Sequence, residues 1–188
     1  MTTHTEKERW LLSYYRTSEI NGALFFGRIA RALGPGPIQV DMTRHFADES
    51  QHAAWWTKAL GDLGMQPLKM RDAYQDQYLE AGGMPVNMME VLAVTLVFER
   101  RVAGQYVAHA KAPDLAAPVK ETLERIMQDE RWHMQWVGAA LKEMESAYGE
   151  TNVAATIKRY ADADREVYRR TIAEHEEIVS GLMTPKPH

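Results

Sequence analysis

Two five-residue stretches constrain this 188-residue chain more than anything else in it: Asp48-Glu49-Ser50-Gln51-His52 and Asp129-Glu130-Arg131-Trp132-His133. On a helix, positions i and i+3 project from one face, so each stretch presents a carboxylate beside an imidazole. That pairing of oxygen and neutral nitrogen donors suits a first-row transition metal. Each stretch also has an acidic partner upstream. Glu19 precedes Glu49 by 30 residues, and Glu99 precedes Glu130 by 31. In two antiparallel helices joined by a short turn, such spacings bring both residues to the same height. A single Glu-x-x-His on a helix is usually a surface pair, and a single inward Glu is usually paired with Arg. Two copies of the whole arrangement are hard to obtain by chance.

The surroundings of the acids point inward. Leu12, Tyr15, Ala23 and Phe26 share the helical face of Glu19, and Leu92, Thr95, Ala103 and Tyr106 share that of Glu99. A carboxylate turned into a core costs several kcal/mol unless it is compensated. Four carboxylates and two imidazoles at one level need positive charge at their centre, and two divalent metals supply it. The likeness between the halves extends past these residues. Trp55 matches Trp136, Ala59 matches Ala140, Leu60 matches Leu141, Ala23 matches Ala103, and Phe26 matches Tyr106. We read this as an internal duplication of a helix hairpin, with half of a two-metal site in each copy.

The breaks in the chain agree with that reading. Gly34-Pro35-Gly36-Pro37 is a hard stop, and Gly or Pro clusters recur at 61–67, 82–85, 113–118 and 149. Between them run long segments rich in Ala, Leu, Glu, Arg and Met, with no sustained strand-like alternation. The spacing predicts an all-α chain with helices over about 5–33, 39–64, 86–112, 116–147 and 152–181. Asp41 and Asn87 are the expected N-caps of the second and third helices, and Gly149 the stop of the fourth. Residues 65–85 are too many for a hairpin turn, and the segment DAYQDQYLEAG within them reads as a short helix. Two hairpins joined by one long crossover make a four-helix bundle, here with an additional long C-terminal helix. One domain is expected over 1–181, with a tail at 182–188. In the last helix Val153, Ile157, Tyr160, Val167, Tyr168, Ile172, His175 and Val179 form an apolar stripe that must be covered by the bundle or by a second copy in a homodimer.

Composition narrows the function classes. The chain has no Cys, which removes disulfides, thiolate metal sites and a catalytic thiol. A net charge of -4 gives no electrostatic reason for nucleic acid or an anionic membrane as partner. The start, MTTHTEKERW, lacks the apolar stretch of a secretory signal, and no run of apolar residues is long enough to span a bilayer. The expected location is the cytoplasm.

The order Glu19, Glu49-x-x-His52, Glu99, Glu130-x-x-His133 resembles the ferritin-like di-iron carboxylate superfamily, over roughly residues 10–145. The resemblance implies that Glu19 and His52 hold one metal, Glu99 and His133 the other, and that Glu49 and Glu130 bridge. It implies two iron ions, or manganese with iron, and O2 as co-substrate. Asp48 and Asp129 are expected to accept a hydrogen bond from the metal-binding His of the opposite half. Tyr106, two turns after Glu99, is expected beside the metals, bonding a ligand carboxylate or passing electrons. Phe26 occupies the matching place and can do neither. His45, four before Glu49, is placed to sit just above the site but reads more readily as a hydrogen-bonded helix histidine, and His175 reads as packing. Met42, Met127, Trp56 and Leu92, with Phe26, are the residues expected to line an apolar chamber. The Asp before each Glu-x-x-His and the long last helix favour an oxidase or oxygenase of a small, largely apolar or amphipathic molecule, fed by an external electron donor or by the substrate itself. A rubrerythrin- or ferritin-like peroxide or iron oxidase is the first alternative, and a metal-free helical interaction protein the second.

Overall fold

The computed structural model describes residues 4–70 and 74–171. Among them the chain forms six helices and no strand: α1 (His4–Ala32), α2 (Pro37–Asp62), α3 (Tyr74–Gly82), α4 (Met88–His109), α5 (Ala117–Tyr148) and α6 (Glu150–Thr171). All five expected helices are present, and α3 is the short helix expected in the crossover. The end of the last expected helix, with Ile172, His175 and Val179, and the expected tail at 182–188 lie outside the described residues.

Local chemistry accounts for the boundaries. Pro37 stands at the first turn of α2, where its missing N–H costs nothing and its fixed φ is already helical. That start places Asp41 inside the helix, so it is not the cap the sequence led us to expect. Asn87 does cap α4: its side chain accepts from the Glu90 N–H at 3.0 Å, and Glu90 reaches back to the Val86 N–H at 3.0 Å. Gly149 ends α5 with φ +83°, and its N–H bonds the Glu145 carbonyl at 2.9 Å. One residue later α6 has begun.

The four long helices α1, α2, α4 and α5 pack around a core that falls into two apolar clusters. One joins Leu11, Leu12 and Tyr15 of α1, Trp56 and Leu60 of α2, Val102 and Tyr106 of α4, and Val119, Leu123 and Ile126 of α5. The other joins Phe26, Met42, Leu92, Val97, Val137 and Leu141. The start of α1 therefore meets the end of α2, the end of α4 and the start of α5. The second cluster pairs the opposite ends, so α1–α2 and α4–α5 are antiparallel hairpins. The segment between α2 and α4 runs back along α1. Arg9 donates to the Gln66 carbonyl at 2.6 Å, the Leu68 N–H to Ser13 Oγ at 3.0 Å, and Gln75 to the Ser18 carbonyl at 3.1 Å.

The α6 stripe is covered by this chain itself. Val153, Tyr160 and Val167 are buried in the second cluster, with Ile157 and Tyr168 packed against it. The Tyr78 and Tyr160 rings meet edge-on at 6.2 Å, and Tyr160 donates to the Gly83 carbonyl at 3.2 Å. Arg101 of α4 binds the carboxylate of Asp164 through two nitrogens and lies over the Tyr168 ring at 3.6 Å. Over this length the stripe requires no second copy. No described helix is long and apolar enough to cross a membrane.

Candidate metal centre

Between the two apolar clusters, halfway along the bundle, lies a layer of buried polar side chains. Glu19, His45, Glu49, His52, Glu99, Glu130 and His133 are each no more than 3% exposed. All six ligand residues expected from the sequence are in this layer, one from each of α1 and α4 and two from each of α2 and α5. Their donor atoms fall into two groups, Glu19–Glu49–His52–Glu130 and His45–Glu49–Glu99–His133, and within each group the donors lie within 4.8 Å of one another. Each group can hold a metal ion.

Glu49 belongs to both groups, and Glu130 faces both. One Glu130 oxygen lies 3.8 Å from His52 Nδ1 and the other 3.8 Å from His133 Nδ1. Glu19 approaches His52 Nδ1 at 3.5 Å, and Glu99 approaches His133 Nδ1 at 3.6 Å. These separations exceed ordinary hydrogen bonds. Two donors held ~2.1 Å from one ion at roughly tetrahedral or octahedral angles sit about 3.0–3.4 Å apart. Several buried atoms are also left without a hydrogen-bond partner: Nδ1 of His52 and His133, both nitrogens of His45, and both oxygens of Glu130. Buried polar atoms are rarely orphaned, and here one donor atom of each residue joins one of the two groups, so the donor set fits a pair of cations.

The acidic residues before each Glu-x-x-His cross between the hairpins. His52 Nε2 and Asp129 Oδ2 are hydrogen-bonded at 3.1 Å, as expected, whereas His133 Nε2 and Asp48 Oδ2 face each other at 3.4 Å without the expected hydrogen bond. Each Asp thus stands behind the imidazole of the opposite hairpin and leaves Nδ1 facing inward. Tyr106 Oη donates to Glu19 and accepts from Trp56 Nε1 at 3.3 Å. A tyrosine beside the layer was expected, and its partner is the carboxylate of the other hairpin.

The electrostatics of the layer are those of crowded acids. Burial raises Glu49 well above the usual carboxylate range, and the charges of Glu19 and Glu99 add to it. Glu130 is raised by burial and by Glu99. Burial pushes Glu99 the same way, but His45 and His133 outweigh it and hold it well below. For His52 burial opposes the charged form, and the hydrogen bond to Asp129 together with the nearby Glu19 carboxylate overcomes it, raising the imidazole well above its ordinary value. Burial lowers His45. Tyr106 is raised by burial and by the Glu19 charge, which keeps its proton in place.

Two features escaped the sequence reading. His45 is not a hydrogen-bonded helix histidine: it is fully buried within the layer, its Nε2 3.3 Å from Glu49 and 3.2 Å from Glu99, with no hydrogen bond at either nitrogen. Gly22, one turn after Glu19, is the space Glu49 occupies, since a Cβ there would overlap Glu49 Oε2. The apolar chamber also takes another form. Phe26, Met42 and Leu92 belong to one core cluster and Trp56 and Met127 to the other, so they close the layer from two ends and share no single wall. No family model, no curated protein and no solved structure matches the chain.

Proposed function

We propose that the chain is a two-metal oxidoreductase of the ferritin-like di-iron carboxylate kind. In this reading it uses O2 to oxidise a small, largely apolar or amphipathic molecule. One observation carries it: seven buried carboxylates and imidazoles converge on two points, with imidazole nitrogens that no protein group satisfies. When bound, two iron ions, or manganese with iron, supply the electrons and open coordination positions that O2 reduction requires.

The chain's own residues have separable tasks. Glu49 and Glu130 would serve both ions, while Glu19 with His52 would hold one and Glu99 with His133 the other. Asp129 fixes the ring orientation of His52 from behind by a hydrogen bond, and Asp48 stands in the matching place behind His133. Tyr106 holds a proton at Oη against Glu19 and so sets the orientation of that carboxylate. Tyr106 is thus a positioning residue for the site. The apolar clusters above and below exclude water and favour an apolar guest. Electrons come from an external donor or from the organic substrate.

The test is anaerobic reconstitution of the full chain with Fe(II), followed by O2 with and without candidate organic compounds. Metal content, the optical spectrum, oxygen uptake and organic product are followed together. Two metals per chain and an organic product formed in step with oxygen uptake are expected. Oxidation of many irons per chain with no organic product would make the protein an iron oxidase. Failure to bind iron or manganese would leave a helical interaction protein. Glu130→Ala should abolish oxygen uptake in either metal-dependent case.

A further inference from the structure

The internal duplication breaks at two matched places. Aligning the Glu-x-x-His motifs puts His45 opposite Ile126, and aligning the upstream acids puts Phe26 opposite Tyr106. The break is chemical. Glu19 has a phenol beside it, Tyr106, which donates a hydrogen bond and keeps its proton. Glu99 has an imidazole beside it, His45, which can offer a lone pair.

The His45 ring is set for that role. It is clamped between Phe26, with ring centroids 3.9 Å apart and planes 27° from parallel, and His133, at 3.7 Å and 23°. Its Nε2 lies almost equally far from carboxylate oxygens of two different helices, Glu49 of α2 and Glu99 of α4, and bonds neither. A nitrogen poised between two acids without a hydrogen bond is where a ligand atom of a shared cation would stand.

We propose that His45 is a seventh metal ligand, and that the two positions are therefore unlike in composition and in affinity. The Glu99 side offers two imidazoles with Glu49 and Glu99, and the Glu19 side offers one imidazole with three carboxylates. Imidazole donors suit iron, and a set made mostly of carboxylate oxygens tolerates manganese. Fe(II) therefore fills the Glu99 side first, and Mn(II), where present, is confined to the Glu19 side. This rests on the two-metal reading above.

The experiment is anaerobic titration of the full chain with Fe(II), with Mn(II), and with both, read by calorimetry and by Mn(II) electron paramagnetic resonance. X-ray absorption at one equivalent of Fe(II) counts imidazole nitrogens. The same is done for His45→Phe, which preserves the ring stack, and for His45→Gln. In the wild type we expect two steps separated by at least ~10-fold, two imidazoles on the first Fe(II), and Mn(II) displaced from one position only. Both variants should lose the tighter step, with one imidazole fewer. Two equal steps, or one imidazole on the first iron, would overturn the inference while leaving the two-metal reading intact. So would weaker binding in the variants with an unchanged nitrogen count, since His45 would then act only by orienting Glu49 and Glu99. A wild type that binds no metal would overturn both. The wild-type nitrogen count decides the matter even if the variants fold poorly.

Discussion

A hydrogen atom in place of a methyl group at position 22 decides where Glu49 can stand. Gly22→Ala should improve the helix propensity of α1 by up to ~1 kcal/mol while driving its Cβ into the Glu49 carboxylate. The expected signature is a metal-free protein of equal or greater stability that binds Fe(II) about 10-fold more weakly, seen by comparing chemical unfolding with metal titration. A second buried residue carries a pH signal of its own. Burial lowers the His109 imidazole from 6.5 to about 4, and its Nδ1 has no hydrogen-bond partner. The folded state thus keeps His109 neutral where the unfolded chain would protonate it. Its contribution is complete above pH ~6.5 and is lost as the pH falls toward 4, amounting to about 3 kcal/mol in all. Unfolding curves of the metal-free protein between pH 7 and 4 should fall more steeply for the wild type than for His109→Gln by that amount. The residues differ in how readable they were. Glu19, Glu99 and the two Glu-x-x-His pairs stood out because they recur at matching spacings. His45 did not, because its counterpart is Ile126 and the duplication therefore lent it no support. Gly22 carried no signal at all, since what it makes room for belongs to another helix.

At the scale of the helices, termini were legible where a side chain or a Gly does the work and illegible where backbone preference does. Asn87 and Gly149 were identifiable because an Asx side chain and a left-handed glycine have few other uses at those places. Asp41 misled because it is an equally good cap, and only the fixed φ of Pro37 moved the start of α2 ahead of it. Asn87→Ala should cost about 1 kcal/mol in urea unfolding, because it removes the acceptor for the Glu90 N–H. The bond from Val86 to Glu90 should persist, so a loss well above that value would mean the start of α4 is held cooperatively with the crossover. The covering of α6 was half legible. Its apolar stripe announced burial, but the partner surfaces on α3 and α4 are set by Tyr78, Gly82 and Arg101, none of which follows a pattern along the chain.

For the molecule as a whole, the polar layer sets the balance between metal-free and metal-loaded forms. Its acids are raised or lowered by one another and by the imidazoles, a conflict that cations remove. Binding to the folded state alone adds ~2.7 kcal/mol when free metal is about 100 times Kd. Calorimetry should therefore give a higher Tm with Fe(II) or Mn(II) than with chelator, and the gain should grow with metal concentration. Equal melting temperatures would contradict metal binding at buried ligands. The pairing of the long helices into two hairpins was legible because the turns within each pair are short and the segment between the pairs is not. The division of the core into two clusters was not, because apolar spacing along a helix does not say which end of a neighbour it will meet.

The crossed pairing of Asp129 with His52 and of Asp48 with His133 has a consequence for assembly. Neither hairpin owns a finished binding position, since each supplies imidazoles whose orientation is set by the other. The two halves are therefore complementary parts, much like two strands that hold only as a duplex. Two polypeptides made by cutting the chain within the crossover should stay apart, or associate weakly, in chelator. Added metal should draw them together as a one-to-one pair, the ions acting as the rivet. Light scattering of the mixed fragments, with and without Fe(II), would register that union directly, and the link between the hairpins would prove to be needed for speed of folding more than for the final form.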